Sequence, residues 1–260
     1  MRKIIDFHVH PFVDDKELTC FYQQNFRFEG DFFRKDMESA GVSTVCGSII
    51  SLDGISLTEG FEPFRELNRH ALQKKKEWGA FYIPGIHVHP SYVRESCDEL
   101  EYMRNEGVRL VGELVPYIHG WSDYSCKAFG EILDVIGELG MVVSYHSMDD
   151  VQMEKMIADH PKVTFVAAHP GDREKYMLHL ERLKKYPNAY LDLSGTGLFR
   201  YGMLKYGVES VGADRFLIGT DYPIVNPYMY VQAVEFEKIS ETDKELIFHK
   251  NAERLLHLDL

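Results

Sequence analysis

Eight short apolar runs alternate with amphipathic stretches along the whole 260-residue chain. The runs occupy about 3–9, 43–50, 80–87, 108–115, 141–146, 163–168, 188–193 and 215–219. Each is apolar on both faces, as a strand must be when a barrel interior covers one side and a helix layer the other. Between them the spacing turns helical. In 122–139, Phe129, Ile132, Leu133, Ile136 and Leu139 recur every three or four residues. Ser122 or Asp123 is expected to cap that helix, and Gly140 to end it. Stretches 62–77 and 172–186 show the same periodicity, and a last helix is expected near 241–257. Eight strands with a helix after each is the count of a (β/α)8 TIM barrel, which at this length forms a single domain over 1–260. A doubly wound open sheet also alternates, but no GxGxxG follows the first run.

The second constraint is where the polar residues fall. His8 and His10 close the first run, Glu113 closes the fourth, His146 the fifth, His169 the sixth and Asp221 the eighth. His87 and His89 close the third. Residues two apart on a strand share a face, so His8 and His10 can grip one cation together. A closed barrel brings early and late strand ends to one mouth; an open sheet separates them. Taken singly, each residue has an ordinary explanation: a polar strand cap, a hydrogen-bonded core histidine, a turn aspartate. Nitrogen and oxygen donors at one end of the first, fourth, fifth, sixth and eighth strands point instead to a divalent cation. Asp6 shares the parity of His8 and is expected inside the barrel, either as a hydrogen-bond partner beneath the cation or as a structural carboxylate.

Composition narrows the function classes. A formal net charge of −12 argues against nucleic acid or an anionic membrane surface as main partner. No stretch approaches the ~20 apolar residues needed to span a bilayer. The four cysteines are scattered without a CxxC pair, the usage of a reduced, cytoplasmic chain, and Asp6 and His8 interrupt any signal-peptide core at the start. The sequence leaves assembly into a homo-oligomer open. The longest irregular stretch, about 11–30, carries Phe12, Phe21, Tyr22, Phe26 and Phe28, and reads equally as a pocket wall or as a surface loop anchored by aromatics.

These motifs resemble the amidohydrolase superfamily, in its amidohydrolase-2 and TatD-like branches. The resemblance rests on Ile5-Asp6-Phe7-His8-Val9-His10, Gly112-Glu113, His146, His169, Gly219-Thr220-Asp221-Tyr222-Pro223 and Asn251-Ala252-Glu253-Arg254-Leu255-Leu256, and so covers nearly the whole chain. It implies a TIM barrel of the metallo-dependent hydrolase type with one or two divalent ions at its C-terminal mouth. Zinc is the first expectation, with manganese, nickel, iron or magnesium as other candidates. His8, His10 and Asp221 are implied as ligands of a first ion. His146 and His169 are implied as ligands of a second, or as substrate contacts if one ion binds. Many relatives bridge two ions with a carboxylated lysine on the fourth strand; this chain has Glu113 there, as TatD-like chains do. The resemblance also places a third-strand histidine, His87 or His89, at the pocket rim against substrate. Tyr117 and His119, in the loop after Glu113, are expected beside them.

The expected activity is metal-dependent hydrolysis of a C–N, C–O or P–O bond in a small organic substrate. Asp221 is the expected proton carrier for the attacking water. Two alternatives accompany it: non-oxidative decarboxylation at a mononuclear zinc site, and a TatD-like nuclease.

Overall fold

A computed structural model of the protein describes residues 2–11, 19–20, 23–27, 32–50, 59–197 and 200–258. Eight parallel strands form one sheet, each paired with the next in sequence: β1 (Ile5–Asp6), β4 (Thr44–Ser48), β5 (Tyr82–Ile86), β6 (Leu110–Leu114), β7 (Val142–His146), β8 (Thr164–Ala168), β9 (Ala189–Asp192) and β10 (Phe216–Leu217). The seam between first and last strands closes just beyond their regular parts. There Phe7 N donates to the Ile218 carbonyl (2.8 Å), Asp221 N to that of His8 (2.8 Å) and His10 N to that of Tyr222 (2.8 Å). The protein is a TIM barrel, the fold its alternating pattern predicts. Helices fill the connections: α1 (Phe32–Ser39), α2 (Glu62–Trp78), α3 (Val93–Asn105), α4 (Lys127–Leu139), α5 (Asp150–Asp159), α6 (Arg173–Lys185), α7 (Met203–Val211) and α8 (Pro227–Phe236). None of the described helices is long and apolar enough to cross a membrane.

Three details depart from the sequence reading. Helix α4 starts at Lys127 rather than near 122, with Cys126 as its uncapped N-cap. Asp123, the expected cap, spends its carboxylate on a local turn, accepting from Ser125 N at 2.8 Å and from the Ser125 hydroxyl at 2.7 Å. The final helix is three pieces: α9 (Glu241–Glu245), a π turn (Leu246–Lys250) and α10 (Asn251–Leu256). The π turn frees the Ile247 carbonyl to accept from Ile218 N at 3.0 Å, tying the helix to the strand that carries Asp221. Within the expected loop 11–30, β2 (Thr19–Cys20) and β3 (Gln23–Arg27) pair antiparallel. The pocket-wall reading of Phe12, Phe21, Tyr22 and Phe28 falls outside the described residues.

Candidate metal centre

The barrel mouth gathers all six ligand-type residues. His8 Nε2 lies 3.1 Å from His10 Nε2, 3.2 Å from Glu113 Oε2 and 3.5 Å from Asp221 Oδ1. His10 Nε2 lies 3.3 Å from Glu113 Oε2 and 3.4 Å from Asp221 Oδ1. The other oxygen of Glu113 faces the opposite way, with Oε1 2.9 Å from His146 Nδ1 and 3.5 Å from His169 Nε2. His8, His10, Glu113 and Asp221 are buried. Two triads, His8–His10–Asp221 and His8–Glu113–His169, each hold three donor atoms within 4.8 Å of one another.

These separations test whether a cation fits. Ligands bonded at about 2.1 Å stand about 3.4 Å apart around a tetrahedral ion and about 3.0 Å apart around an octahedral one. The contacts among His8, His10, Glu113 and Asp221 run from 3.1 to 3.5 Å, the edge lengths of such a polyhedron. Nitrogen lone pairs and carboxylates packed this closely need a positive charge among them, and protons compete with a cation for the role. The electrostatics show that pull. Burial opposes charge on His10, yet hydrogen bonds to Asp221 and Glu113 outweigh it and hold its pKa up at about 9. Burial likewise works to raise Glu113, but the charge on His8 and hydrogen bonds from His10, His146 and His169 hold it well below the usual carboxylate range.

The backbone is bent to aim these groups. Gly112 has φ 96°, and a Cβ there would stand 2.1 Å from the Ser144 carbonyl oxygen, so only glycine permits the turn that presents Glu113. His169 (φ 69°) and Asp221 (φ 65°) both sit in the left-handed region just past their strands, a conformation of some cost for side chains with a Cβ. The Tyr124 hydroxyl, 3.2 Å from the Leu114 carbonyl and 3.0 Å from that of His146, ties the ends of β6 and β7 together. Asp6 resolves as a clamp across the seam. Its Oδ1 accepts from His8 N (3.1 Å) and Thr220 N (3.0 Å), and its Oδ2 from the Thr220 hydroxyl (2.6 Å). Burial lifts its pKa to about 7 against those hydrogen bonds.

The third-strand histidines lie inside the protein, as His8 does. His87 and His89 are both 2% exposed. His89 Nε2 donates to the His119 carbonyl at 2.9 Å, and its Nδ1 accepts from Ser91 N at 3.1 Å, capping the short turn that begins α3. Both ring nitrogens of His89 are therefore engaged with the backbone. His87 Nε2 donates to the Ile49 carbonyl at 2.7 Å, while its Nδ1 is buried without a partner. His119 packs edge-on against His87, with ring centroids 5.2 Å apart. Tyr117 lies on the surface beside the site. It is 59% exposed, and its ring meets that of His146 edge-on at 5.4 Å.

Two residues of the site were not picked out by sequence reasoning. Asp192 Oδ2 lies 2.9 Å from His8 Nδ1, and the Ser194 hydroxyl lies 2.9 Å from His8 Nδ1 and 3.1 Å from His169 Nδ1. Their signal was present as Asp192-Leu193-Ser194, a polar pair at strand spacing that closes the seventh run.

Comparison with known proteins agrees with this geometry. Gamma-resorcylate decarboxylase from Rhizobium sp. (strain MTP-10005) is 28% identical over 118 residues, which cover 39% of this chain and 36% of that protein's length. Among solved structures, 2,6-dihydroxybenzoate decarboxylase from Rhizobium superposes with a TM-score of 0.79 at 17% identity, covering 100% of both chains. A dihydroxybenzoic acid decarboxylase from Polaromonas sp. JS666, with bound manganese and the inhibitor 2-nitroresorcinol, gives 0.76 at 16% identity, covering 100% of this chain and 98% of that one. At such identities the likeness to the solved structures is one of fold. The amidohydrolase family model matches residues 5–258, from the first barrel strand to the last helix, and the chain belongs to that family.

Proposed function

We propose that this protein is a metal-dependent, non-oxidative decarboxylase of a hydroxylated aromatic acid. The observation that carries the reading is the His8–His10–Asp221 cluster at the mouth of a barrel whose relatives, by sequence and by fold, include decarboxylases of dihydroxybenzoates. In the reaction the bond between ring carbon and carboxylate breaks, carbon dioxide leaves, and the electron pair stays on the ring carbon until a proton joins it. No oxidant is consumed. When bound, a divalent cation supplies charge neutralisation and polarisation for the substrate oxygens. Manganese is what the Polaromonas relative holds, and a mixed imidazole and carboxylate donor set serves zinc as readily. His8, His10 and Asp221 would hold the cation, Asp221 would also carry the proton that the ring carbon takes up, and Tyr117 would offer an aromatic ring at the lip. A net charge of −12 suits a small substrate drawn to a cationic centre rather than a nucleic acid.

The hydrolase expectation survives as a second reading because of Glu113. Its two oxygens face two separate histidine groups, the placement of a carboxylate between two cations. In that reading Asp221 takes the proton of the attacking water and passes it to the leaving group. One experiment separates the two. The purified protein loaded with manganese or zinc is assayed for carbon dioxide release from 2,6-dihydroxybenzoate and related hydroxybenzoates, and for turnover of lactones, amides and phosphoesters, with metal content measured in parallel. Carbon dioxide release with close to one ion per chain supports decarboxylation. Turnover of an ester, amide or phosphoester with close to two ions and no carbon dioxide replaces it with hydrolysis.

A further inference from the structure

Beneath the metal-ligand histidines lies a buried polar pair that neither reading employs. Asp192 and Ser194 are both 0% exposed. The Ser194 hydroxyl touches three groups: Asp192 Oδ1, His8 Nδ1 at 2.9 Å and His169 Nδ1 at 3.1 Å. The second oxygen of Asp192 faces His8 Nδ1 at 2.9 Å. Counting protons fixes the direction of each bond. An ionised carboxylate only accepts, so the single Ser194 proton goes to Asp192 Oδ1. The Ser194 oxygen is then left to accept, and His169 must present a proton on Nδ1. His8 must do the same toward Asp192 Oδ2. Each ring consequently turns Nε2, the nitrogen left for a cation or a competing proton, toward Glu113, where His8 Nε2 stands 3.2 Å from Oε2 and His169 Nε2 stands 3.5 Å from Oε1.

The surroundings reserve this space. A Cβ on Gly195 would fall 2.2 Å from His169 Nδ1, and one on Gly219 would fall 2.9 Å from the His8 Cβ and 3.0 Å from that of Ser194. Neither glycine can carry a side chain without pushing the network apart.

We infer that Asp192 is a positioning residue that sets the tautomers of two histidines of the candidate metal centre on opposite sides of Glu113, acting on His8 directly and on His169 through the Ser194 hydroxyl. The inference rests on the metal-centre reading above, and it predicts an asymmetry. Losing Ser194 frees only His169, whereas neutralising Asp192 disturbs both rings. Outer partners of this kind are worth about 10–100-fold in metal affinity.

The test compares the unmodified protein with Ser194→Ala and Asp192→Asn. Zinc affinity is measured in competition with a chromophoric chelator, and the histidine ring protons are followed by NMR on protein labelled with 15N-histidine, with and without zinc. In the unmodified protein, His8 and His169 each show a slowly exchanging Nδ1 proton. Ser194→Ala removes protection from the His169 proton alone and leaves zinc affinity at His8, His10 and Asp221 nearly unchanged. Asp192→Asn disturbs both protons and weakens zinc binding through His8 about tenfold. A His169 proton that stays protected in Ser194→Ala overturns the inference, as does equal loss at His8 and His169 in that variant. The ring protons report without zinc, so a protein that binds no metal sinks the proposed function while still deciding this inference.

Discussion

The two ends of the barrel interior are built from the same strands to opposite purposes. At the foot, Leu110, Val142, Val166, Tyr190 and Leu217 form one apolar cluster with Ala252 and Leu256 of α10. Moving up two residues at a time keeps to the inward face, so Val142 leads through Ser144 to His146, Tyr190 through Asp192 to Ser194, and Leu217 through Gly219 to Asp221. Within four residues the interior passes from a largely apolar foot, through small or acidic groups, to the polar residues of the mouth. The foot stabilises by removing apolar surface from water. The mouth concentrates charge and strained backbone, which must be held in place by the rest. Damage at one end should therefore show as lost stability, and at the other as lost metal and lost turnover.

The sharpest way to break that division is at the mouth. Replacing both His8 and His10 with alanine should eliminate bound metal while circular dichroism still reports a folded barrel. Metal content equal to that of the unmodified protein would remove the site altogether. Asp221→Asn comes next, expected to keep most of its metal and lose about 10²–10⁴-fold in turnover, the range for a proton-transfer group. Full turnover in that variant would end the role of Asp221 as proton carrier. At the foot, Leu110→Ala should cost about 2–5 kcal/mol in denaturant unfolding, because Leu110 is fully buried, and leave metal content per folded chain unchanged. Metal loss there in proportion to stability would mean the two ends are one unit.

The smallest effect concerns pH and lies between the ends. His179 on α6 has burial, and then the charge of Arg182, pressing its pKa down to about 3. Arg182 donates to its Nδ1 at 2.9 Å, so Nε2 carries the proton facing the Ser147 hydroxyl at 3.3 Å, just after His146. Unfolded, the ring titrates near 6.5, so between 6.5 and about 3 the unfolded chain binds a proton that the folded chain refuses. Stability from this group is intact above 6.5 and falls as pH drops through that window. At pH 5.5 the loss is on the order of 1 kcal/mol. His179→Gln should flatten the acid side of a stability–pH curve by about that much; an unchanged slope would mean that His179 is protonated in the folded protein.

Much of the molecule was written in local pattern. Short continuous apolar runs and helical spacing mark strands and helices before any contact is known, and the closed barrel follows because donors on the first and last strands make sense only if those strands meet. His8, His10, Glu113, His146, His169 and Asp221 were legible because each ends an apolar run, where a polar residue needs a reason. His87 and His89 end a run in the same way, so sequence could not separate them from the other six. The fold turns His87 Nε2 toward the Ile49 carbonyl and His89 Nε2 toward that of His119, and those partners come from distant parts of the chain. Asp192 and Ser194 stayed hidden for the converse reason, since a lone aspartate and serine at a strand end look ordinary. Sequence by itself determined the barrel and the donor set, because backbone periodicity and side-chain chemistry are properties of neighbouring residues. Only the tertiary structure decided which partner each ring nitrogen faces, because such partners come from distant strands, and for His8 Nδ1 that partner lies 184 residues away.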